Sequence, residues 1–305
     1  MLKIDKLYPY RGLNRSEIIY AEIIIWVPII ATIYSIISGM LFSIGTATLV
    51  LFLICYSCTV FGVTIGFHRL LTHHSFKSTR LLKIIFVCFG CMAFEGSPFF
   101  WVAAHRRHHK FTESEGDPHT PLINDKFSWF GFYHAHMGWM TTHIIESWRH
   151  YILDLLTDPD LKIINKHYSV IASLGLLIPA ILNGLIYMSW YHFWEGLIVC
   201  GLVRVCLQQH VTWSINSVCH LWGKKDFDTK DQSRNNWLFA ILAYGEGWHN
   251  GHHAFPSSAK HGLKKWQIDI SFGLIKFLSW FGFIKEIKIP TQVQLDNKAK
   301  KHQSS

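Results

Sequence analysis

The chain has 305 residues, half of them hydrophobic and 15% aromatic, with only 16% charged. Its apolar residues come in long blocks instead of being dispersed with a helical or strand period, which excludes an ordinary soluble domain. The formal charge is +9, but no basic stripe interleaves with a soluble pattern, which argues against nucleic-acid binding and for the loop bias of membrane proteins.

In chain order, the first 16 residues are polar and mixed, which predicts no cleavable signal and a retained first span. Ile18–Ser38, Met40–Gly66, Tyr168–Met188 and Trp190–Asn216 are each long enough to cross a bilayer, which takes about 20 helical residues. Lys3, Lys6, Arg11 and Arg15 precede the first block, while the turns near Gly39 and Ser189 carry no Lys or Arg. Basic loops stay in the cytoplasm, so four spans place both termini and the middle segment inside. Leu81–Trp101 is apolar but interrupted by Lys83 and by Glu95-Gly-Ser-Pro98, and is predicted not to span. Ser271–Ile284, with Lys276 inside it, reads as an interfacial helix. The expected organisation is one membrane domain over 1–296, with a cap woven from 67–167 and 217–296. A polar, lysine-rich tail over 297–305 is expected to be disordered. The seven cysteines include Cys55–Cys58 and Cys88–Cys91 at two-residue spacing. Both pairs lie in apolar segments, where free cysteine behaves as a small hydrophobe.

Histidine carries the chemistry. His68 and His73 stand five apart, whereas His105, His108 and His109 stand at i, i+3 and i+4, and His249, His252 and His253 repeat that spacing. Three- and four-residue spacing puts each trio on one helix face. Five-residue spacing needs a helix end or a turn. Eight imidazoles exceed the shell of one ion, so two metals follow. Ligand type alone leaves zinc, copper, iron and nickel open. Asn216 and His220 stand at i and i+4 near the end of the last block and are further candidates. His74 reads as a spare ligand or a partner to one, His119 as a turn residue, and His192 and His210 as packing residues. Arg204, deep in the fourth block, reads as a structural cation holding carbonyls or water.

At these residues a resemblance emerges. Gly66-Phe-His-Arg-Leu-Leu-Thr-His73, His105-Arg-Arg-His-His-Lys-Phe-Thr-Glu-Ser-Glu-Gly-Asp-Pro-His119, Asn216-Ser-Val-Cys-His220 and Gly245-Glu-Gly-Trp-His-Asn-Gly-His-His-Ala-Phe-Pro256 occur in the order and spacing of a known family. Over residues 10 to 285 the chain resembles the membrane-bound acyl-CoA desaturases of the stearoyl-CoA, delta-9 type, in their bacterial form. The resemblance implies an all-α integral membrane protein with four transmembrane helices and a cytosolic helical cap holding a di-iron site, in the bacterial inner membrane. It implies that His68, His73, His105, His109 and His252 hold one iron. His108, His220, His249 and His253 hold the other, with Asn216 reaching it through water. Thr212, Trp213 and Trp101 match residues at the bend of an acyl tunnel, and Glu95 stands where animal members carry glutamine. A basic pair that meets the coenzyme A headgroup in those members is missing after Gly138-Trp139, where His143 stands alone. Acyl carrier protein or a membrane lipid is therefore a rival to acyl-CoA as carrier. The C-terminal end lacks a His-Pro-Gly-Gly haem signature. The two electrons are therefore expected from a separate donor of cytochrome b5, ferredoxin or flavoprotein type, with dioxygen as co-substrate.

The chemistry agrees with that reading. An unactivated methylene has no acidity for a side-chain base to exploit, so its oxidation needs a metal or another cofactor. The expected reaction is insertion of a cis double bond, with tunnel depth selecting the position. Two alternatives stand beside it. A hydroxylase on the same centre would yield products one oxygen heavier, not two hydrogens lighter. A histidine-rich metal transporter would want ligands along the transmembrane path.

Overall fold

A computed structural model describes residues 10–123, 126–145 and 148–299, without the side chains of 10, 11, 123 and 143–145. It is mostly helical. Two compact units emerge, one of 1–63, 84–101 and 140–210, the other of 64–83, 102–139 and 211–305.

Among the described residues, three helices are long and apolar enough to cross a membrane: Arg15–Ile37, Thr46–Thr72 and Tyr168–Tyr187. The first, α1, starts in a capping box in which the Asn14 side chain accepts from the Glu17 N–H and the Glu17 carboxylate accepts from Asn14. The second, α2, runs as α-helix over Thr46–Phe61 and continues with wider π turns over Gly62–Thr72. After α3 (Arg80–Cys91) and α4 (Pro98–Phe111) come α5 (Trp129–His136) and α6 (Pro159–Lys166). The third apolar helix is α7, Tyr168–Tyr187. The expected fourth span is helical without a break from Trp190 to Ser217 (α8), through a π segment at Gly196–Val203. It is not among the three apolar ones. The reason is in its interior, where Glu195, Arg204, Gln208 and Gln209 are all buried and dilute the hydrophobic signal.

Those polar groups have partners within the first unit. Arg204 is fully buried and donates to Thr59 Oγ at 3.1 Å and to the carbonyls of Cys200, Met92 and Gly175 at 3.0 to 3.2 Å. Glu195 accepts from Thr48 Oγ at 2.9 Å and Asn183 Nδ2 at 3.1 Å. Helices α7 and α8 approach so closely that a Cβ on Gly196 would lie 2.7 Å from Asn183 Cβ.

The break expected at residues 95–98 falls between α3 and α4. Its backbone groups are bonded by side chains of the same unit, as irregular backbone in an apolar setting requires. Arg204 takes Met92 O, Gln209 Nε2 takes Phe94 O at 3.1 Å, Tyr168 Oη accepts the Gly96 N–H, and Asn165 Oδ1 accepts the Phe99 N–H. Among the described residues, strands form only short pairs, such as Lys77–Ser78 against Ile284–Lys285.

In the second unit, α9 (Trp237–Leu242), α10 (His249–Ala254), α11 (Ile270–Trp280) and α12 (Gln292–Lys298) follow. The segment expected to be interfacial is α11, which buries Ser271 and Ile275 and exposes Phe277 and Trp280. Helical order reaches Lys298, one residue past the expected start of the tail at 297, and 300–305 lie outside the described residues. All seven cysteines are free.

Candidate metal centre

Four segments of the second unit converge. The end of α2 supplies His68 and His73. Their five-residue spacing would put them on different faces of an α-helix. The π turns remove the conflict, because the His73 N–H bonds back to His68 O at 3.1 Å and the rings stand 4.8 Å apart. Arg106 of α4 then ties the two segments, donating to Leu71 O at 2.6 Å and Thr72 O at 3.1 Å. His220 sits in a tight turn after α8, held by apolar packing of Val211, Ile215 and Cys219 against Ala243. The short α10 carries the last trio. Its start is fixed by Asn235 Oδ1, which accepts the Asn250 and Gly251 N–H groups, while buried Asn250 bonds the 226–227 backbone.

The structure sorts the nine histidines into two groups. One ligand atom from each of His68, His73, His105, His109 and His252 lies within 4.8 Å of the others, and the same holds for His108, His220, His249 and His253. The groups adjoin: His109 and His253, one from each, stand 4.7 Å apart ring to ring. Asn216 is half-buried at the end of α8, four residues before His220.

Tautomers follow from carboxylates that spacing did not reveal. His68 Nδ1 gives its proton to Glu246 at 2.5 Å, His108 Nδ1 to Asp117 at 3.0 Å, His220 Nδ1 to Glu113 at 2.8 Å and His253 Nδ1 to Asp231 at 2.9 Å. Each such imidazole presents an Nε2 lone pair, the usual orientation of a metal-bound histidine. Burial would raise the Asp117, Asp231 and Glu246 carboxyls. The facing histidines, joined by Arg69 at Glu246, instead hold all three below the ordinary range. Burial, then the repulsion neighbouring rings would exert once charged, pushes His73, His105, His109, His249 and His252 well below ordinary imidazole. His253 is pushed down to about 4 by burial, partly opposed by Asp231. These six imidazoles are therefore neutral at pH 7, the ligating form, and Asp117, Asp231 and Glu246 place negative charge at the outer edge of the cluster.

The nitrogens themselves call for a cation. His252 Nε2 lies 3.1 Å from His68 Nε2 and 2.9 Å from His109 Nε2, and His109 Nε2 lies 3.1 Å from His105 Nε2. His220 Nε2 lies 3.0 Å from His249 Nε2. Lone pairs this close need a proton or a metal between them. The buried Nε2 atoms of His73, His108 and His253 have no hydrogen-bond partner among the described residues. Buried polar atoms without partners are rare in native proteins and cost about 1–3 kcal/mol each. Two metal ions coordinated by imidazole would satisfy these atoms.

Glu246 is itself fixed. Buried Arg69 donates to it at 2.6 Å and to Asp269 at 3.2 Å. The preceding Gly245 has φ +119, and a Cβ there would lie 2.3 Å from Asp269 Oδ1. His261, which sequence reading passed over, is fully buried, with its ring 4.6 Å from that of His252 and its Nδ1 3.6 Å from Glu246. His119 has a matching place beside Asp117 and His108, with rings 4.4 Å apart. For Glu246 a local signal existed, three residues before His249. For Glu113, Asp231 and His261 none did, because their partnerships arise only in three dimensions.

The expected substrate residues fall in both units. In the first, Trp101 Nε1 donates to Glu95 at 3.3 Å, and both are half-buried. In the second, Thr212 is half-buried and Trp213 buried, its ring edge-on to His136 at 5.8 Å. The His143 side chain lies outside the described residues.

Known proteins supply an independent comparison. The chain matches the family model described as fatty acid desaturase over residues 44–269. It is 38% identical to the hex-5-enoyl-[acyl-carrier protein] acetylenase of Moorena producens (strain JHB), over 94% of this chain and 90% of that one. It is 39% identical to the sn-1 stearoyl-lipid 9-desaturase of Synechocystis sp. (strain ATCC 27184 / PCC 6803 / Kazusa), over 78% and 70%. It is 37% identical to the acyl-CoA C20 Delta5-desaturase of Anemone leveillei, over 83% and 78%.

Proposed function

The chain belongs to the fatty acid desaturase family, and from that premise we propose that it is an O2-dependent di-iron enzyme that inserts a cis double bond, at the delta-9 position, into a saturated acyl chain. The observation that carries this reading is the pair of adjoining imidazole groups, with carboxylates on their outer nitrogens. His68, His73, His105, His109 and His252 would hold one iron. His108, His220, His249 and His253 would hold the second, with Asn216 through water. Reduced iron with dioxygen would supply the oxidant that an unactivated methylene requires.

The protein's own groups do the rest. Glu246, Asp117, Glu113 and Asp231 keep the Nδ1 protons in place, so that the Nε2 lone pairs stay turned inward. Glu95, Trp101, Thr212 and Trp213 line and bend the acyl chain in this reading, so that one carbon–carbon bond is presented. We propose four spans, with α8 the fourth, and both termini and the histidine segments on the cytosolic side of a bacterial inner membrane. The basic segments and the apolar helices support that topology. A separate one-electron donor delivers two electrons per turnover.

Coenzyme A is the first carrier to assay. The names of the relatives span acyl carrier protein, coenzyme A and lipid, so all three should be offered. Expression in a host lacking unsaturated fatty acids, with double-bond localisation by gas chromatography and mass spectrometry, tests the reading. New cis-monoenes support it, and products one oxygen heavier would replace it with hydroxylation. The name of the Moorena producens relative motivates a second reading, removal of two hydrogens at an existing double bond. Supplying hexenoyl-acyl carrier protein beside saturated substrates separates the two.

A further inference from the structure

Helix α5 carries two histidines, His134 and His136, that belong to neither imidazole group. It lies in the second unit, as do residues 211–217 at the end of α8. Two positions apart on a helix, the two rings face opposite sides. His134 Nε2 donates to Pro118 O at 3.2 Å, next to Asp117, the carboxylate behind His108. The helix is fixed on that side. Ser128 Oγ caps it by accepting the Gly131 N–H at 2.9 Å, and a Cβ on Gly131 would lie 2.4 Å from Pro121 O.

His136 faces the end of α8. Its Nδ1 lies 2.9 Å from the Oγ of Ser217, which is fully buried. The tautomer follows from the serine. Its one O–H donates to Trp213 O at 3.0 Å, so its oxygen is left to accept and His136 Nδ1 carries the proton between them. The imidazole also stacks on Phe132 at 5.8 Å, with planes 9° apart, and meets the Trp213 ring edge-on. Trp213 is therefore held twice, at its carbonyl through Ser217 and at its ring by His136. A side chain that only filled this space would need no donor, and phenylalanine would serve. Ser217 directly follows Asn216 and stands three residues before His220. Helix α5 thus works as a ruler, bonded on one side beside Asp117 and on the other beside Asn216.

We propose that His136 is a positioning residue: through Ser217 it fixes Trp213 relative to the imidazole groups, and so selects which carbon–carbon bond of the acyl chain is presented. The inference rests on the reading that Trp213 bends an acyl chain. His136 itself touches no reacting atom. Without the Ser217 bond the end of α8 relaxes, Trp213 moves with it, and the double bond drifts along the chain.

The test uses full-length variants in a host lacking unsaturated fatty acids, supplied with stearate, with double bonds localised by mass spectrometry. His136→Phe keeps a flat ring and removes the donor, and Ser217→Ala removes the acceptor. Each should change the ratio of neighbouring double-bond positions about 2- to 10-fold, the range one neutral hydrogen bond commands, with iron per folded protein unchanged. His136→Asn, whose amide can still donate to Ser217, should restore most of the wild-type profile. Combining His136→Phe with Ser217→Ala should shift the profile no further than either alone, because both remove the same bond. A wild-type profile in both single variants would overturn the proposal, even with a lower Tm, since His136 would then serve folding only. Additive shifts or loss of iron would overturn it as well. A second readout needs no turnover. In 15N-histidine-labelled protein, the NMR signal missing from His136→Phe should be that of an imidazole protonated at Nδ1, and protonation at Nε2 would overturn the assignment. Failure of the desaturase reading looks different: the wild type makes no monoene at all, while the His136 signal stays as described.

Discussion

The Arg204 guanidinium and the His73 Nε2 are both buried polar groups, one in each compact unit, and the two units treat them in opposite ways. Around Arg204 the first unit surrounds a charge with carbonyls and a hydroxyl. Around His73 the second unit gathers nitrogens and leaves several without a protein partner. Buried polarity that is satisfied internally holds a fold together. Buried polarity that converges and remains unsatisfied calls for a ligand from outside. Composition does not separate the two cases, and only the placement of acceptors does.

The largest test of that contrast removes a converging nitrogen. His105→Ala or His253→Ala should lose iron and activity together, read by elemental analysis and by product formation, and full activity in metal-free protein would refute the assignment. Arg204→Met should do the reverse. Stranding the Met92 and Gly175 carbonyls should cost about 1–3 kcal/mol for each buried group left unpaired, seen as a lower Tm, while iron per folded protein is kept. Equal iron loss in both variants would erase the distinction. Glu246→Gln lies between them, because it keeps an acceptor for His68 but removes the charge. Iron affinity should fall about 10- to 100-fold, the usual cost of altering the partner of a ligating histidine, measured by chelator competition.

Acid sharpens the contrast further. Folded His73, His105, His109, His249, His252 and His253 resist protonation, while imidazoles of the unfolded chain titrate near about 6.5. Their contribution to stability is therefore complete above that pH and is lost as pH falls toward the folded value, about 4 for His253. Apo protein should melt at lower temperature at pH 5.5 than at pH 8, and His253→Gln should narrow the gap. The smallest effect is on selectivity. Trp213→Ala should leave iron in place and spread the double-bond positions, and an unchanged product profile would remove Trp213 from the tunnel.

Much of the candidate site could be read from spacing. The trios at i, i+3 and i+4 are helical in the structure, and the two groups in space contain the same histidines that the resemblance divided. What escaped is long-range. Glu113 meets His220 across 107 positions and Asp231 meets His253 across 22, and no local pattern encodes either contact. His261 escaped because a single histidine in a polar loop carries no period. All four expected spans were read as apolar blocks, and among the described residues three of them are helices long and apolar enough to cross a membrane. The block at Trp190–Asn216 falls short of the other three because buried Glu195, Arg204, Gln208 and Gln209 interrupt it.

The π turns of Gly62–Thr72 set a limit on engineering. In a regular helix, residues five apart point about 140° away from each other, so the first histidine pair exists only because the coil is overwide there. Deleting one residue between Gly62 and Phe67, or selecting variants that tighten the coil, would yield a better-bonded backbone and rotate His68 away from its neighbours. Stabilising campaigns guided by melting temperature alone would favour that change, and the sturdier protein they returned would have lost its grip on metal.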